Sequence, residues 1–266
     1  MKTRLARAAP RGRLPAASAW NRKMPTTLRS FTDPRLDFSH AVALRKSYVI
    51  ASSFRSGSTL LCVRLWETGV LGAPWEYLNF HNEMPLMMSR LQPRSPEDYI
   101  EKLLACRTSS NGVFGVKAHF HDFSAGIERY QGLLDRLSPI TYIYIDRRDK
   151  LAQAVSMAKA HQTDAWTSLA APKSCAPRYC KHEIARCFAE ANRQTQDWRR
   201  WFRDRGITPM PVDFEDLVAD PGRIVREIVT ALGVQNDTPD TVFVPKIQKQ
   251  GDDMNEDWIE RYRREA

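Results

Sequence analysis

Residues 47–59 read SYVIASSFRSGST and predict a strand that turns directly into a helix. The first seven residues are apolar or small, with the β-branched and aromatic side chains typical of a buried strand. After the turn, residues 58–69 read STLLCVRLWETG, where Leu61 and Leu65 recur at helical spacing and Gly69 is a natural helix end. A strand, a Gly-containing turn and a helix in direct succession indicate an α/β protein.

The same alternation of strand and helix patterns continues along the chain. Further strands are predicted at residues 112–119, 140–146 (ITYIYID) and 208–214. Helices are predicted from the Ser95-Pro96 pair onward, at 149–166, at 179–205 and at 221–232. Such alternation predicts one domain with a central, mostly parallel sheet flanked by helices on both faces.

The net charge of +9 is concentrated in an N-terminal arm. Residues 1–30 contain eight of the 40 Lys and Arg residues and no acidic residue, which leaves 32 basic against 31 acidic residues elsewhere. Because the body is nearly neutral, the composition does not favour a nucleic-acid-binding protein. We expect residues 1–40 to be a disordered basic arm and residues 41–266 to be the domain. A transit peptide or a surface-binding arm are the alternatives, and Met24 is an alternative first residue.

The chain carries no signal of export or membrane insertion. No apolar run approaches the ~18 residues that span a bilayer, and the arm lacks the apolar stretch of a secretory signal. The cysteines are odd in number and scattered, which does not suit a disulfide framework: Cys62, Cys106, Cys175, Cys180 and Cys187. The sequence therefore predicts a cytoplasmic protein with no transmembrane segment.

A zinc site is the alternative explanation for the cysteines near residue 180. Cys175, Cys180, His182 and Cys187 cluster in the sequence, but without the usual pair of short Cys-x-x-Cys motifs. If Cys180 and Cys187 share a helix, about 10.5 Å separates them along its axis, which is too far for a common ligand shell. We expect no metal.

The turn after the first predicted strand has the composition of an anion-binding site. Unpaired backbone N–H groups converge at the start of a helix, and the helix dipole adds partial positive charge. Hydroxyl groups and one guanidinium provide further hydrogen-bond donors and a positive charge for an anion. The candidate anion ligands are Arg55, Ser56, Gly57, Ser58 and Thr59. A Ser- and Gly-rich turn that merely caps a helix is the structural alternative.

A nucleotide kinase loop, G-x-x-x-x-G-K-[ST], is the obvious comparison. Ser52 stands where its first Gly would be, and Ser58 and Thr59 follow Gly57 with no Lys between them. That Lys and the adjacent Mg²⁺-binding hydroxyl neutralise a triphosphate. The loop therefore suits a less charged group, and a P-loop nucleotide kinase or nucleotide-binding protein is the alternative function.

A second pair of candidate anion ligands lies near the end of the 140–146 strand. Arg148 follows that strand, and Ser156 lies eight residues later, two turns into the next predicted helix. A guanidinium and a hydroxyl at this edge of the sheet are suited to a phosphate. Taken alone, the pair is equally well explained as a surface Arg and a Ser with no binding role.

Together the two motifs resemble the cofactor signature of sulfotransferases that use PAPS (3′-phosphoadenosine 5′-phosphosulfate). The first loop resembles their 5′-phosphosulfate loop, and Arg148 with Ser156 resembles their 3′-phosphate pair. Within that superfamily the chain is similar to the bacterial trehalose 2-sulfotransferase family of carbohydrate sulfotransferases. The resemblance covers most of residues 45–263 and rests on four segments: FRSGSTLLCVRLWETGVLGAPWEYLN, GVFGVKAH, IYIDRRDKLAQAVSMAKAHQTDAW and KQGDDMNEDWIERYR.

The resemblance implies a three-layer, P-loop-like α/β fold and sulfuryl transfer from PAPS to a carbohydrate or glycolipid hydroxyl. It also implies a homodimer. Lys246 and Lys249 lie in a stretch that closes over the cofactor in this superfamily, and solvated lysines are the alternative. A sulfuryl group carries less charge than a phosphoryl group, so in-line transfer without a metal is expected, with Arg55 stabilising the leaving oxygen.

Two residues compete for the role of general base, which must take the proton of the acceptor hydroxyl. Glu76, in PWEY, matches the position of the catalytic Glu in the trehalose-type family. His119, in KAH, lies where the cytosolic branch of the superfamily carries its catalytic His. We favour Glu76 as the base, with His119 either orienting the acceptor or lining the pocket. Trp75 is either a sugar-stacking or a packing residue, and Trp198 and Trp201 are expected to pack.

Overall fold

The computed structural model describes residues 31–38, 42–130, 132–167, 176–234, 239–242, 244, 247 and 250–265. The predicted Lys246 and Lys249, together with residues 1–30, lie outside these described residues, and so does Cys175.

A four-stranded parallel sheet forms the centre of the domain. Its strands are β1 (Lys46–Ser52), β2 (Val113–His119), β3 (Ile140–Asp146) and β4 (Met210–Asp213), in the spatial order β2-β1-β3-β4. β1 and β2 are almost completely buried, and β3 is more exposed than its apolar run predicts. Its first two residues are half-exposed because the short strand β4 pairs only with the last four residues of β3.

Helices connect and flank the strands. The described helices are α1 (Ser58–Trp66), α2 (Glu83–Leu91), α3 (Pro96–Arg107), α4 (Phe120–Arg129), α5 (Leu133–Leu137), α6 (Lys150–Thr163), α7 (Lys181–Asp204), α8 (Phe214–Ala219), α9 (Pro221–Ala231) and α10 (Asp253–Glu265). None of them is long and apolar enough to cross a membrane. The sheet flanked by helices confirms the predicted α/β class.

Local capping signals begin several helices where the sequence predicts. The Ser95 side chain accepts a hydrogen bond from the Asp98 N–H ahead of Pro96 in α3. Asp149 caps α6 in the same way, through the Ala152 N–H. Side-chain caps of this kind satisfy N–H groups that have no partner inside the helix. The predicted boundaries of these helices are therefore confirmed to within a few residues.

The strand order creates a topological switch point between β1 and β3. The chain leaves β1 toward β2 on one side and leaves β3 toward β4 on the other. In open parallel sheets ligands bind outside the carboxyl ends of the strands at such a point. The turn at residues 53–57 and the residues after Asp146 both lie at this edge, so the topology itself brings the two sequence motifs together.

The segment 31–38 packs against the body of the domain. Phe31, Leu36 and Phe38 are buried in the main hydrophobic core. Arg107, whose side chain is fully buried, donates hydrogen bonds to the carbonyl oxygens of Leu36 and Phe31 and lies 3.2 Å from the Asp37 carboxylate. Although this segment falls within the expected arm of residues 1–40, it supplies both apolar contacts and the only described carboxylate that pairs with Arg107.

Two truncations separate the roles of residues 1–30 and 31–38. Deleting 1–30 removes eight positive charges and leaves the core intact, so we expect the melting temperature and activity on a small sugar to change little. Deleting 1–38 exposes core surface and leaves the buried Arg107 charge without its carboxylate, which costs about 3–5 kcal/mol. Thermal unfolding of both variants checks this, and equal melting temperatures contradict it.

Candidate functional site

The turn between β1 and α1 has a backbone conformation suited to an anion. Gly57, the N-cap of α1, has φ +85° and no side chain to cap the helix. Arg55 also adopts a left-handed conformation, with φ +61°, which is strained for a residue with a side chain. The first N–H groups of α1 consequently have no side-chain cap, a feature shared with helix starts that bind anions.

Gly57 is required for a second reason, which is close packing. A Cβ atom at this position would lie 2.2 Å from the ring of Phe214, the first residue of α8. Phe214 therefore closes one side of the turn from the end of β4. The remainder of the turn is fixed by amide side chains, because Gln153 Nε2 donates to Ser53 Oγ and the Phe54 carbonyl, at 2.8 and 2.6 Å.

The hydroxyl residues of the turn are buried. Ser56 is inaccessible and donates to the Ser53 carbonyl at 2.9 Å, and Ser58 is almost fully buried. Thr59 is half-buried and accepts a hydrogen bond from Lys117 Nζ. Of the predicted hydroxyl ligands, Thr59 is thus the one that connects the turn with the rest of the site.

Arg55 is held by three neutral oxygens. Its Nε donates to Ser156 Oγ at 2.9 Å, and its two terminal nitrogens donate to the Trp166 carbonyl at 2.5 Å and to Gln250 Oε1 at 3.0 Å. Burial, with a smaller contribution from the positive charge of Arg147, lowers the pKa of Arg55 to about 10. The guanidinium remains charged at neutral pH, without a carboxylate partner in the described part of the chain.

The structure brings Ser156 to Arg55 and turns Arg148 away from both. The Arg148 side chain is 58% exposed, donates to Asp216 Oδ1 at 2.8 Å and lies 3.5 Å from both Asp213 Oδ2 and Glu215 Oε2. The hydrogen bond to Asp216 is the main reason that the pKa of Arg148 is raised. These three carboxylates lie at the end of β4 and in the first turn of α8, from where they attract the guanidinium across the sheet edge.

Glu76 lies beside the carboxyl end of β2 because its own segment runs along that strand. Trp75 forms an isolated parallel bridge with Val116, and the Lys117 N–H donates to the Trp75 carbonyl at 2.9 Å. This pairing brings the Glu76 side chain toward Lys117 and His119. The sequence motifs PWEY and KAH, about 40 residues apart, therefore meet in one cluster.

The Glu76 carboxylate is mostly buried and strongly paired. Lys117 Nζ forms a short ion pair with Oε1, and Asn79 Nδ2 donates to Oε2 at 2.8 Å. Burial alone would raise the pKa of Glu76, but the attraction of Lys117 and the interactions with His119 outweigh it and hold the pKa well below its usual value. Glu76 is thus an ionised carboxylate at neutral pH.

His119 lies next to the Glu76 carboxylate and is buried. Its Nε2 lies 3.7 Å from Glu76 Oε1, while its Nδ1 lies 3.2 Å from the Ser52 carbonyl oxygen and 3.1 Å from Ser52 Oγ. The residue is 4% exposed, and its ring packs on Phe54 at 4.2 Å between centroids. A buried imidazole held at both ends is better suited to orienting a neighbour than to shuttling protons with solvent.

Lys117 joins the two halves of the site. Its Nζ binds Glu76 on one side and donates to Thr59 Oγ1 at 3.2 Å on the other, although the residue is only 2% exposed. Sequence reasoning assigned it no role. Its position could have indicated one, because Lys117 lies two residues before His119, near the end of a predicted strand. A cation buried there requires an anionic partner.

Two further site residues also escaped the sequence analysis. Arg147 packs against Phe214, with its guanidinium carbon 4.7 Å from the ring centroid. Glu83, at the start of α2, has a pKa raised to about 7 by burial and, to a lesser extent, by the charge of Glu76. No motif marks Glu83, because its proximity to Glu76 depends on how the chain folds after Asn79.

The tryptophans of the site region are packing residues. Trp75 is buried and its ring stacks on that of Phe31, so it presents no face to a ligand. Trp198 and Trp201, on α7, are buried as predicted, and Trp198 Nε1 donates to the Ser52 carbonyl at 3.0 Å. Within the described residues no group of three His, Cys, Asp or Glu side chains is arranged to hold a metal ion.

Fold and site together define an α/β protein with a turn suited to an anion at its switch point and a paired carboxylate beside it. Residues 47–265 match the family model described as Stf0 sulphotransferase. The chain belongs to that family, as the sequence resemblance predicts.

Curated relatives carry a more specific name. The chain is 29% identical over 263 residues to the trehalose 2-sulfotransferase of Mycolicibacterium smegmatis, covering 83% of this chain and 95% of the relative. It is 28% identical over 262 residues to the enzyme of that name from Mycobacterium tuberculosis, with 83% and 96% covered. The family and these relatives support an enzyme that transfers a sulfuryl group to a sugar.

Solved sulfotransferase structures also match. The sulfotransferase of Alicyclobacillus acidocaldarius aligns with a TM-score of 0.47 and 16% identity, covering 83% of this chain and 92% of that one. The sulfotransferase domain of the Synechococcus PCC 7002 olefin synthase aligns with a TM-score of 0.41 and 20% identity, covering 76% and 80%.

Proposed function

We propose that the protein transfers a sulfuryl group from PAPS to a hydroxyl of trehalose or of a related carbohydrate or cell-envelope glycolipid. The observation that carries this proposal is the chain of contacts from Thr59 through Lys117 to Glu76. It links the anion-binding turn directly to an ionised carboxylate. A donor held at the turn would therefore lie next to the group that deprotonates the acceptor.

The residues of the turn fit an anionic donor. The start of α1 has no side-chain cap, and Arg55 has only neutral partners among the residues described. We assign the 5′-phosphosulfate to Arg55, Ser56, Gly57, Ser58 and Thr59, and the 3′-phosphate to Arg148 and Ser156. Arg148 would have to exchange its carboxylate partners for the phosphate. Lys246 and Lys249 are proposed as further donor ligands on the family resemblance alone.

PAPS supplies an activated sulfuryl group whose bridging oxygen is a good leaving group. The acceptor oxygen forms a bond to sulfur while the bond from sulfur to the bridging oxygen breaks in line with it. Glu76 receives the hydroxyl proton, and His119 helps to orient Glu76 and the acceptor. Arg55 and Lys117 lie where negative charge develops, so both would stabilise the transition state.

The names of the relatives support trehalose as the acceptor, since both are called trehalose 2-sulfotransferases. We further propose a homodimer, on the family resemblance, and a cytoplasmic location. Cys62, Cys106, Cys180 and Cys187 are free thiols in the structure, which suits a reducing compartment.

The test is a transfer assay with PAPS and trehalose, read by mass spectrometry of the sugar, with a panel of cell-envelope glycans beside it. A parallel thermal-shift comparison addresses the kinase alternative. PAP (adenosine 3′,5′-bisphosphate) without Mg²⁺ should stabilise the protein and ATP with Mg²⁺ should do little, because the ligand that binds the native state raises its stability. The reverse order, with no sulfated product, favours the kinase.

The 3′-phosphate assignment makes a separate prediction. Charge-assisted hydrogen bonds contribute about 1.5–3 kcal/mol each, so Arg148→Ala should weaken PAP binding at least about tenfold. Ser156→Ala should weaken it less, because a neutral hydroxyl is lost. Adenosine 5′-phosphosulfate, which lacks the 3′-phosphate, should be less affected by either change. Calorimetric titration of both ligands measures this, and equal losses refute the assignment.

A further inference from the structure

Arg147 and Arg148 are neighbours with opposite surroundings. Arg148 is exposed and faces the carboxylates of Asp213, Glu215 and Asp216. Arg147 is half-buried at the switch point, and its Nε is a buried donor with no hydrogen-bond partner in the described parts of the chain. Burial lowers the pKa of Arg147, against weaker attraction from Asp149 and Glu215. Of the two arginines, Arg147 is therefore the one with a buried donor that lacks a partner among the described residues.

Arg147 is fixed in this position by the same ring that closes the anion-binding turn. Its guanidinium lies over Phe214 at 4.7 Å, and Phe214 in turn packs on Gly57, the N-cap of α1. A cation held over an aromatic face keeps its position without neutralising its charge. The guanidinium is thus held beside the first turn of α1 while remaining available to an anion.

The positive charges of Arg55 and Arg147 are close enough to repel each other. The charge of Arg147 disfavours the protonated form of Arg55. Two half-buried cations near the positive end of a helix are unfavourable in the free protein, and an anion bound by both removes the repulsion. Binding sites often contain such unfavourable interactions, which lower the stability of the ligand-free protein and are relieved when the ligand binds.

We infer that Arg147, together with Arg55, is a ligand of the donor phosphate held at the first turn of α1. This inference rests on the proposed function, and it extends the donor site to a residue outside both sequence motifs. Arg147 then acts on the 5′-phosphate, whereas Arg148 is assigned to the 3′-phosphate. Two guanidinium groups at one phosphate give it charge-assisted hydrogen bonds from both arginines.

The test uses Arg147→Met, which retains the aliphatic packing on Phe214 and removes the charge, and Arg147→Lys, which retains the charge. Calorimetry with PAP and with adenosine 5′-phosphosulfate should show both ligands weakened by about 10- to 100-fold in Arg147→Met. Arg147→Lys should recover part of the affinity. In the ligand-free protein the melting temperature of Arg147→Met should rise by about 2–4 °C, because a repulsion has been removed.

The combination of readouts separates a ligand from a structural residue. A lower melting temperature with unchanged affinity, or equal affinities of Arg147→Met and Arg147→Lys, overturns the inference. A loss confined to PAP also overturns it, because the contact is then with the 3′-phosphate. If wild-type protein binds ATP in place of PAP, the proposed function is wrong, and the comparison of Arg147→Met with wild type on ATP still decides whether Arg147 contacts the anion.

Discussion

Glu76→Gln should lower kcat for sugar sulfation by about 10²–10⁴-fold, the range typical of a positioned general base. The substitution preserves shape, but an amide cannot accept the hydroxyl proton. Affinity for PAP should stay within a few-fold of wild type, because Lys117 lies between Glu76 and Thr59 of the turn that we propose holds the donor. Single-turnover rates and PAP titration of the same preparation measure the two effects separately.

Two neighbours serve as controls for this prediction. His119→Ala should lower kcat less than Glu76→Gln, since His119 is buried and lies 3.7 Å from the Glu76 carboxylate. Glu83→Gln removes a second carboxyl group, one that interacts with Glu76, and should leave turnover within a few-fold. If Glu76→Gln keeps near wild-type turnover while His119→Ala abolishes it, the two roles must be exchanged.

The elements with strong local signals were predictable from the sequence. β1, β3, α6 and α7 appear where apolar periodicity and capping residues place them. α2, α4, α5 and α8 were not predicted, because they have ten residues or fewer and their stability comes from tertiary packing more than from local propensity. α10 was anticipated only as a family segment and not as a helix, since Trp258 is its one buried side chain among charged neighbours.

The candidate site was predictable where its residues lie in one continuous motif. The turn at residues 53–59 and the pair Glu76 and His119 follow from local patterns and the family resemblance. Contacts between distant segments could not be derived in this way. The stacking of Phe31 on Trp75 and the position of Arg147 over Phe214 depend on the assembled fold, so residues 31–38 and Arg147 had no distinguishing signal.

Lys117→Met should be the most destabilising single substitution in the site. Both members of its ion pair are largely buried, with side-chain exposures of 2% for Lys117 and 17% for Glu76. Removing one partner of a buried pair leaves an uncompensated charge and costs about 3–5 kcal/mol. Denaturant unfolding at pH 7 measures this loss. Arg223→Met provides a matched control, because that cation pairs with Glu227 and Asp216 on the surface, where ion pairs contribute ~0–1 kcal/mol.

A double variant distinguishes loss of the charge pair from loss of packing. Glu76→Gln combined with Lys117→Met removes both charges, so we expect it to be more stable than Lys117→Met alone. The coupling follows from the double-mutant cycle, which isolates the pairwise contribution of residues in contact. If the two single losses simply add, the ion pair does not account for the destabilisation, and Lys117 acts mainly through packing under Trp75.

The pH dependence of folding stability provides a second, independent test of the Lys117–Glu76 pairing. In wild type the folded-state pKa of Glu76 is depressed, so its stabilising contribution is complete above its unfolded value of about 4.3 and is lost as the pH falls further through the folded value. In Lys117→Met, burial is no longer outweighed by the lysine, and the pKa of Glu76 should rise above its unfolded value. The variant should then lose stability as the pH rises from about 4 toward 7. Unfolding curves at pH 5 and pH 7 decide the matter: a gap between wild type and Lys117→Met that is wider at pH 7 supports the pairing, and a gap independent of pH contradicts it.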